Sequence, residues 1–236
     1  MRFLDRYIHY LGKSAEGEIE ETVFNFLPRG KQIVYLDLGC GDGSKTIRRA
    51  TRIGTSKFSG IEIERIETLG SKGKIRIYSA DLNHKLPVRG RSVDCITLTE
   101  VIEHLVDLDN FFSEVKRILK PNGKLIISTE NLASCHNIMA LLLGNQPYTG
   151  PYLSRIYPIG SRNNAKYYTG KNKGGGNPHI NGMTIKALTK LLERNGFQIK
   201  AVAGIAFYPL PPVLGKLISK VDKYHSTYCV VSAENQ

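Results

Sequence analysis

No run of 18 apolar residues occurs anywhere in this chain of 236 residues, which excludes a helix that crosses a bilayer. The N-terminus has no uninterrupted apolar stretch either. Met1 to Gly12 alternates charged with apolar residues, so no secretory signal is expected in this stretch. Cysteine is sparse. Cys40, Cys95, Cys135 and Cys229 lie far apart with no CxxC pair, so neither a zinc ribbon nor a disulfide framework is built from them. A reducing, cytoplasmic location is the simplest expectation. Acidic residues are missing from Asn131 to Leu192, where Arg155, Arg162, Lys166, Lys171, Lys173, Lys186 and Lys190 fall. Of the formal net charge of +12, most therefore sits in the second half, where residues 131–236 hold 12 Lys/Arg against 3 Asp/Glu. Such an excess makes either a solvated basic face or a patch that attracts an anionic substrate or surface.

What is present is ordinary for a globular chain: 41% hydrophobic and 23% charged residues. The length suits one domain, residues 1–236, with a helical cap over 1–30 and an insertion. Short apolar, β-rich runs at Gln32–Asp37, Lys57–Ile63, Lys74–Ser79, Val93–Thr99 and Lys124–Thr129 read as strands. Helical segments separate them: Ser44–Arg52, Glu64–Leu69, and Leu108–Leu119 with apolar residues at helical spacing. Pro121-Asn122-Gly123 reads as a turn. Strand, crossover helix, strand, repeated, means a parallel sheet with helices on both faces. Beyond it Asn131–Leu143, Thr184–Arg194 and Val213–Val221 read as helical, and Phe197–Phe207 and His225–Ser232 as two closing strands. Gly144–Pro178, rich in Gly, Pro, Asn and Tyr, is long for a loop in a compact domain and reads as a substrate lid.

In parallel sheets ligands bind beyond the C-terminal ends of the strands. Asp37-Leu38-Gly39-Cys40-Gly41-Asp42-Gly43 follows the first strand and opens the first helix. Glycines there let a ligand approach the backbone. The spacing is GxGxG, not the GxGxxG of a dinucleotide fold. Asp37 and Asp42 at its two ends repel a pyrophosphate and attract a sulfonium and an amino group, so S-adenosylmethionine (SAM) suits the bend better than NAD. Glu62, followed by Ile63, ends the second strand, where a carboxylate accepts both ribose hydroxyls. Asp81 follows the third strand, placed to accept from an adenine amino group with Leu82 against the ring.

The segments YLDLGCGDGSKT, SGIEIE, YSADLNHKLP, SVDCITLTEVIEHL and EVKRILKPNGKLIIST, in that order from Val34 to Thr129, resemble class I SAM-dependent methyltransferases of the type 11 group. The resemblance implies a Rossmann-like α/β fold, a seven-stranded mostly parallel sheet with an antiparallel C-terminal hairpin. It implies that Asp37, Gly39, Cys40, Gly41, Glu62, Ile63, Asp81 and Leu82 hold the cofactor, with Thr99 near the sulfonium.

Glu100-Val101-Ile102-Glu103-His104 comes after the fourth strand. Spacings of three and four put side chains on one face of a helical turn. Two carboxylates and an imidazole suit a divalent metal such as magnesium or manganese, and His179 is available as a fourth ligand. The arrangement is similar to that of ubiquinone-pathway O-methyltransferases and of small-RNA 3′-terminal 2′-O-methyltransferases. The resemblance implies a metal that binds the acceptor hydroxyl; without one, His104 or His179 serves as general base. His9, His84, His136 and His225 are assigned to surface or packing.

The leading acceptor is a hydroxyl on a small molecule, a glycan or a lipid-linked compound. RNA is the alternative, because Tyr148, Tyr152, Tyr157, Tyr167 and Tyr168 interleave with basic residues as in single-strand binders. A SAM-binding regulator without catalysis is the third reading. The Tyr208–Val221 stretch, with Lys216, Lys220 and Lys223, is a candidate for peripheral membrane contact.

Overall fold

The computed structural model describes residues 3–63, 75–151, 153 and 179–236. Helix α1 (Phe3–Phe26) opens the chain. Then follow β1 (Tyr35–Leu38), α2 (Ser44–Ile53), β2 (Phe58–Glu62), β3 (Arg76–Ser79) and β4 (Val93–Thr99). After a 3-10 turn at Ile102–His104 come α3 (Leu108–Ile118), β5 (Leu119–Glu130) and α4 (Cys135–Leu142). The chain closes with α5 (Ile185–Arg194), β6 (Phe197–Ile205), α6 (Pro212–Val221) and β7 (Tyr228–Asn235). The seven strands form one sheet in the order β3-β2-β1-β4-β5-β7-β6. β1 to β5 pair in parallel, and β7 runs antiparallel to both β5 and β6. This is the mostly parallel sheet with a reversed C-terminal hairpin that the sequence predicts. No helix among the described residues is long and apolar enough to cross a membrane.

Strand side chains alternate between the two faces. Leu36, Leu38, Ile96 and Leu98 meet α3 and α5 through Phe111, Phe112, Val115, Leu188 and Leu192. Tyr35 and Cys95 point the other way, into a second core with Ala15, Val23, Ala50 and Ile53 of α1 and α2. Asp37 and Thr97 share parity with Tyr35 and Cys95, so they face α1 and α2. Two caps mark helix starts: Asp107 accepts from the Asn110 N–H at α3, and Thr184 accepts from Ala187 N–H at α5.

Several boundaries differ from the sequence reading. β1 begins at Tyr35 because the Val34 N–H is taken by the Asp94 side chain, not by a neighbouring strand. Pro121-Asn122-Gly123 does not end an element. Leu119 pairs with Val93 and Lys124 with Cys95, so the three residues form an irregularity inside β5, with Asn122 at φ 61°. α4 starts at Cys135, since Asn131 turns its amide to the Tyr224 and Ser226 carbonyls and pins the end of β5. β7 starts at Tyr228, because His225 belongs to a short turn capped by Asp222. The predicted helix over Glu64–Leu69 and most of the predicted lid, with Tyr152, Tyr157, Tyr167, Tyr168, Arg155, Arg162, Lys166, Lys171 and Lys173, lie outside the described residues.

Candidate active site

The bend after β1 is built for close approach. Gly39 and Gly41 have φ of 68° and 53°, a region that disfavours side chains. A Cβ at Gly39 would collide with the Val101 side chain, whereas at Gly41 it would enter open space. Val101 belongs to the Glu100–His104 segment, so the two predicted constellations meet at Gly39. Glu62, at the tip of β2, accepts the Gly41 N–H at 2.8 Å through Oε2 and the Ile63 N–H at 2.8 Å through Oε1. Ile63 itself is exposed, and Leu82 is buried in the core. Asp42 and Asp81 are held below the usual carboxylate range, chiefly by the backbone N–H groups of Ser44 and Asn83. Both therefore stay anionic at the rim. Burial, with Asp37 and Glu62 nearby, pushes the Cys40 thiol up to about 12, so it is inert.

Asp37 sits elsewhere than a pocket-facing reading expects. It is buried, and its oxygens accept from Thr46 (2.6 Å), Thr97 (2.5 Å) and the Arg49 guanidinium (3.1 Å). Arg49, 1% exposed, also grips Glu20 of α1 at 2.7 and 3.2 Å and reaches Thr99 at 3.3 Å. Strand parity explains the placement, since residue 37 faces the α1/α2 side. The sequence reading missed Arg49 and Glu20. The signal was available in principle: the face holding Tyr35, Asp37, Cys95 and Thr97 needs a cation for its one acid. Which cation answers is a tertiary matter.

The predicted helical turn is also different in detail. Glu103 and His104 lie in the 3-10 turn, but Glu100 precedes it at φ 54°. Both carboxylates turn to the end of β5. Ser128 donates to Glu100 at 2.8 Å and Thr129 to Glu103 at 2.9 Å. Burial first, then mutual repulsion among the acids, raises Glu100, Glu103 and Glu130 well above the usual carboxylate range. His179, 75 positions further along the chain, comes to lie with its ring 4.9 Å from that of His104. The Ile180 and Asn181 N–H groups hold it there by donating to the Glu103 carbonyl at 2.7 and 3.0 Å. Ligand atoms of Glu103, His104 and His179 lie within 4.8 Å of one another. Glu100 does not join that group. Glu130, which the sequence reading did not single out, stands 3.3 Å from His179 Nδ1.

Two imidazoles with one buried carboxylate are a donor set that suits a divalent cation. The open cradle at Gly41, with Glu62 and the anionic rim, likewise fits a cationic adenosyl compound.

A family model described as methyltransferase domain matches residues 7–202. The mitochondrial ubiquinone biosynthesis O-methyltransferase of Homo sapiens is 26% identical over 204 residues, covering 80% of this chain and 48% of that protein. The ubiquinone biosynthesis O-methyltransferase of Bartonella bacilliformis is 29% identical over 180 residues, covering 74% and 64%. The chain thus spans about half to two thirds of the length of these curated relatives. An S-adenosylmethionine dependent methyltransferase from Mesorhizobium loti shares the fold, with a TM-score of 0.62 at 22% identity over 94% of this chain and 100% of that one.

Proposed function

Because the chain belongs to the methyltransferase-domain family and has the class I fold, we propose that it transfers the methyl group of SAM to a hydroxyl oxygen. The acceptor in this reading is a small molecule, a glycan or a lipid-linked compound. The observation that carries it is the junction at Gly39, where the Val101 side chain, two residues before Glu103 of the Glu103–His104–His179 cluster, lies against the glycine bend. Ionisable groups that can handle an acceptor proton therefore follow closely on a stretch of backbone open to a cofactor at Gly41. The ubiquinone-pathway relatives, named as O-methyltransferases, support oxygen as the target.

SAM, when bound, supplies a methyl group on a positively charged sulfur with a good leaving group. The chain's own residues then position and desolvate. Gly41 leaves room at the bend, Glu62 accepts the ribose hydroxyls, and Asp81 accepts from the adenine amino group. Thr99, tied to Arg49, lines the way to the sulfonium. Asp37 acts as a positioning residue: its bonds to Thr46, Thr97 and Arg49 brace the start of the bend. Glu103, His104 and His179 would hold a divalent cation, magnesium or manganese, whose Lewis acidity lowers the pKa of a hydroxyl. Glu130 beside His179 orients the imidazole, as carboxylates behind histidine ligands do. In the absence of a cation, His104 accepts the acceptor proton.

The lipid-linked option draws support from α6. Val213 and Val221 are 74% and 90% exposed there, beside Lys216 and Lys220, the composition of a helix that rests on an anionic membrane surface.

The test is methyl transfer from labelled SAM to a panel of phenols, sugars, lipid-linked hydroxyls and RNA oligonucleotides. Transfer to a hydroxyl compound, falling at least about tenfold after complete chelation and returning with manganese, is the expected result. Transfer to RNA alone would overturn the acceptor assignment. Full activity after metal removal would overturn the cation's role and leave His104 as the base.

A further inference from the structure

A basic constellation lies away from the glycine bend, on the side of the sheet where β1 begins rather than where it ends. An open groove of about 490 Å³ between the end of α1 and α2 is lined by Phe24, Arg29, Ile47, Arg48, Thr51 and Arg52. That volume falls in the range of small-molecule sites, about 300–1,000 Å³. Arg48 and Arg52 stand one turn apart on α2, where side chains four apart are neighbours. Arg29 comes from the α1–β1 connection. There the Gly30 N–H donates to the Ile53 carbonyl at 2.9 Å, and Thr55 Oγ1 donates to the Ile33 carbonyl at 2.6 Å. These bonds stitch the connection to the end of α2 and hold Arg29 beside the other two arginines.

The charge of the groove is unmatched. Arg29, Arg48 and Arg52 are exposed and make no ion pair among the described residues. Acids of α1 are taken by other cations: Glu16 by Lys45 at 2.8 Å, Glu20 by Arg49 at 2.7 Å and Glu21 by Lys216 at 3.4 Å. Three like charges on one concave surface raise the local positive potential. The groove also has an apolar wall, the half-buried Phe24 and Ile47. Arg48 lies over the Phe24 ring, 5.6 Å from its centroid, a contact that orders the guanidinium without neutralising it. A face that only keeps a protein dissolved needs neither the concavity nor the aromatic ring.

We propose that this groove binds a phosphate monoester carried on an apolar body, with Arg29, Arg48 and Arg52 on the phosphate oxygens and Phe24 and Ile47 against the body. A phosphate monoester carries about two negative charges at pH 7, and guanidinium forks take its oxygens in pairs. The site goes beyond the methyl-transfer reading and is tested without turnover.

Calorimetry with phenyl phosphate is the direct measurement, with inorganic phosphate and phenyl sulfate as comparisons. Wild-type protein is expected to bind one phenyl phosphate per chain, at least about tenfold more tightly than inorganic phosphate, since a ring is buried as well. Phenyl sulfate, with a single charge, should bind at least about tenfold more weakly than phenyl phosphate. Arg48→Gln and Arg52→Gln should each weaken phenyl phosphate about tenfold or more, the scale of a hydrogen bond to a charged group. Arg48→Lys should recover only part, because it keeps the charge and loses the fork. Melting temperatures of these surface variants should stay at the wild-type value. Vesicles containing phosphatidic acid separate the two sources of such a group. Co-sedimentation that the same variants lose assigns the monoester to a lipid headgroup, whereas phenyl phosphate binding without it assigns a soluble ligand. No saturable binding of phenyl phosphate, equal binding of phenyl sulfate, or unaltered affinity in the variants overturns the proposal. So does binding of a single-stranded RNA oligonucleotide through the same arginines with no phenyl phosphate bound, the mark of an extended polyanion surface.

Discussion

In the proposed mechanism Glu62 and His104 divide the labour of the site between them. Glu62 touches the Gly41 backbone at the bend and nothing on the acceptor side, whereas His104 belongs to the cluster with Glu103 and His179. Glu62→Ala is therefore expected to weaken SAM binding at least about tenfold, the worth of one charge-assisted hydrogen bond. His104→Ala should keep SAM affinity within about twofold and lower kcat by about 100-fold, the scale of general acid–base help. Calorimetry with single-turnover kinetics reads both, and the opposite pattern would exchange the two roles. These residues were legible as a set from their positions just after strands. Glu130 was not, because nothing in its neighbours along the chain announces that His179, 49 positions later, comes to rest against it.

At the scale of elements, α1 and α2 are joined by charge as well as by apolar packing. Glu20 comes from α1, Arg49 from α2 and Asp37 from β1, and all three are buried. Removing the cation leaves two carboxylates in a dry interface, at a cost of about 3–5 kcal/mol. Arg49→Met should accordingly lower the melting temperature by roughly 10 °C for a chain of this size, measured by circular dichroism. A change of a degree or two would mean that the network is solvated and contributes little. The elements themselves were readable because each strand is a short β-rich run and each helix repeats its apolar residues every three or four positions. The pairing of α1 with α2 was not, since an acid and a base of opposite sign occur in most helices and sequence does not say which of them meet.

For the whole molecule, the sheet order β3-β2-β1-β4-β5-β7-β6 puts β1, β4 and β5 side by side and parallel, so that the bend and the carboxylate cluster share their C-terminal ends. A ligand bound there contacts the ends of several strands at once and stabilises the domain as a unit. At a concentration 100 times its Kd, SAM or its demethylated product should add about 2.7 kcal/mol, a rise of roughly 5–10 °C in melting temperature. NAD should give no such rise, because the anionic rim of Asp42 and Asp81 repels a pyrophosphate. An equal rise with NAD would contradict the electrostatic reading of the bend.

The amino-acid sequence by itself determined the alternation of strands and helices, the parallel sheet, and the glycine bend with its acids, because all of these are written in residues close together along the chain. Tertiary structure alone decided that Asp37 is buried against Arg49, Thr46 and Thr97, and that Glu100 stands apart from Glu103, His104 and His179. Those outcomes depend on which side of a strand faces which helix and on contacts between distant segments. A carboxylate or an imidazole acquires its role from what burial places around it.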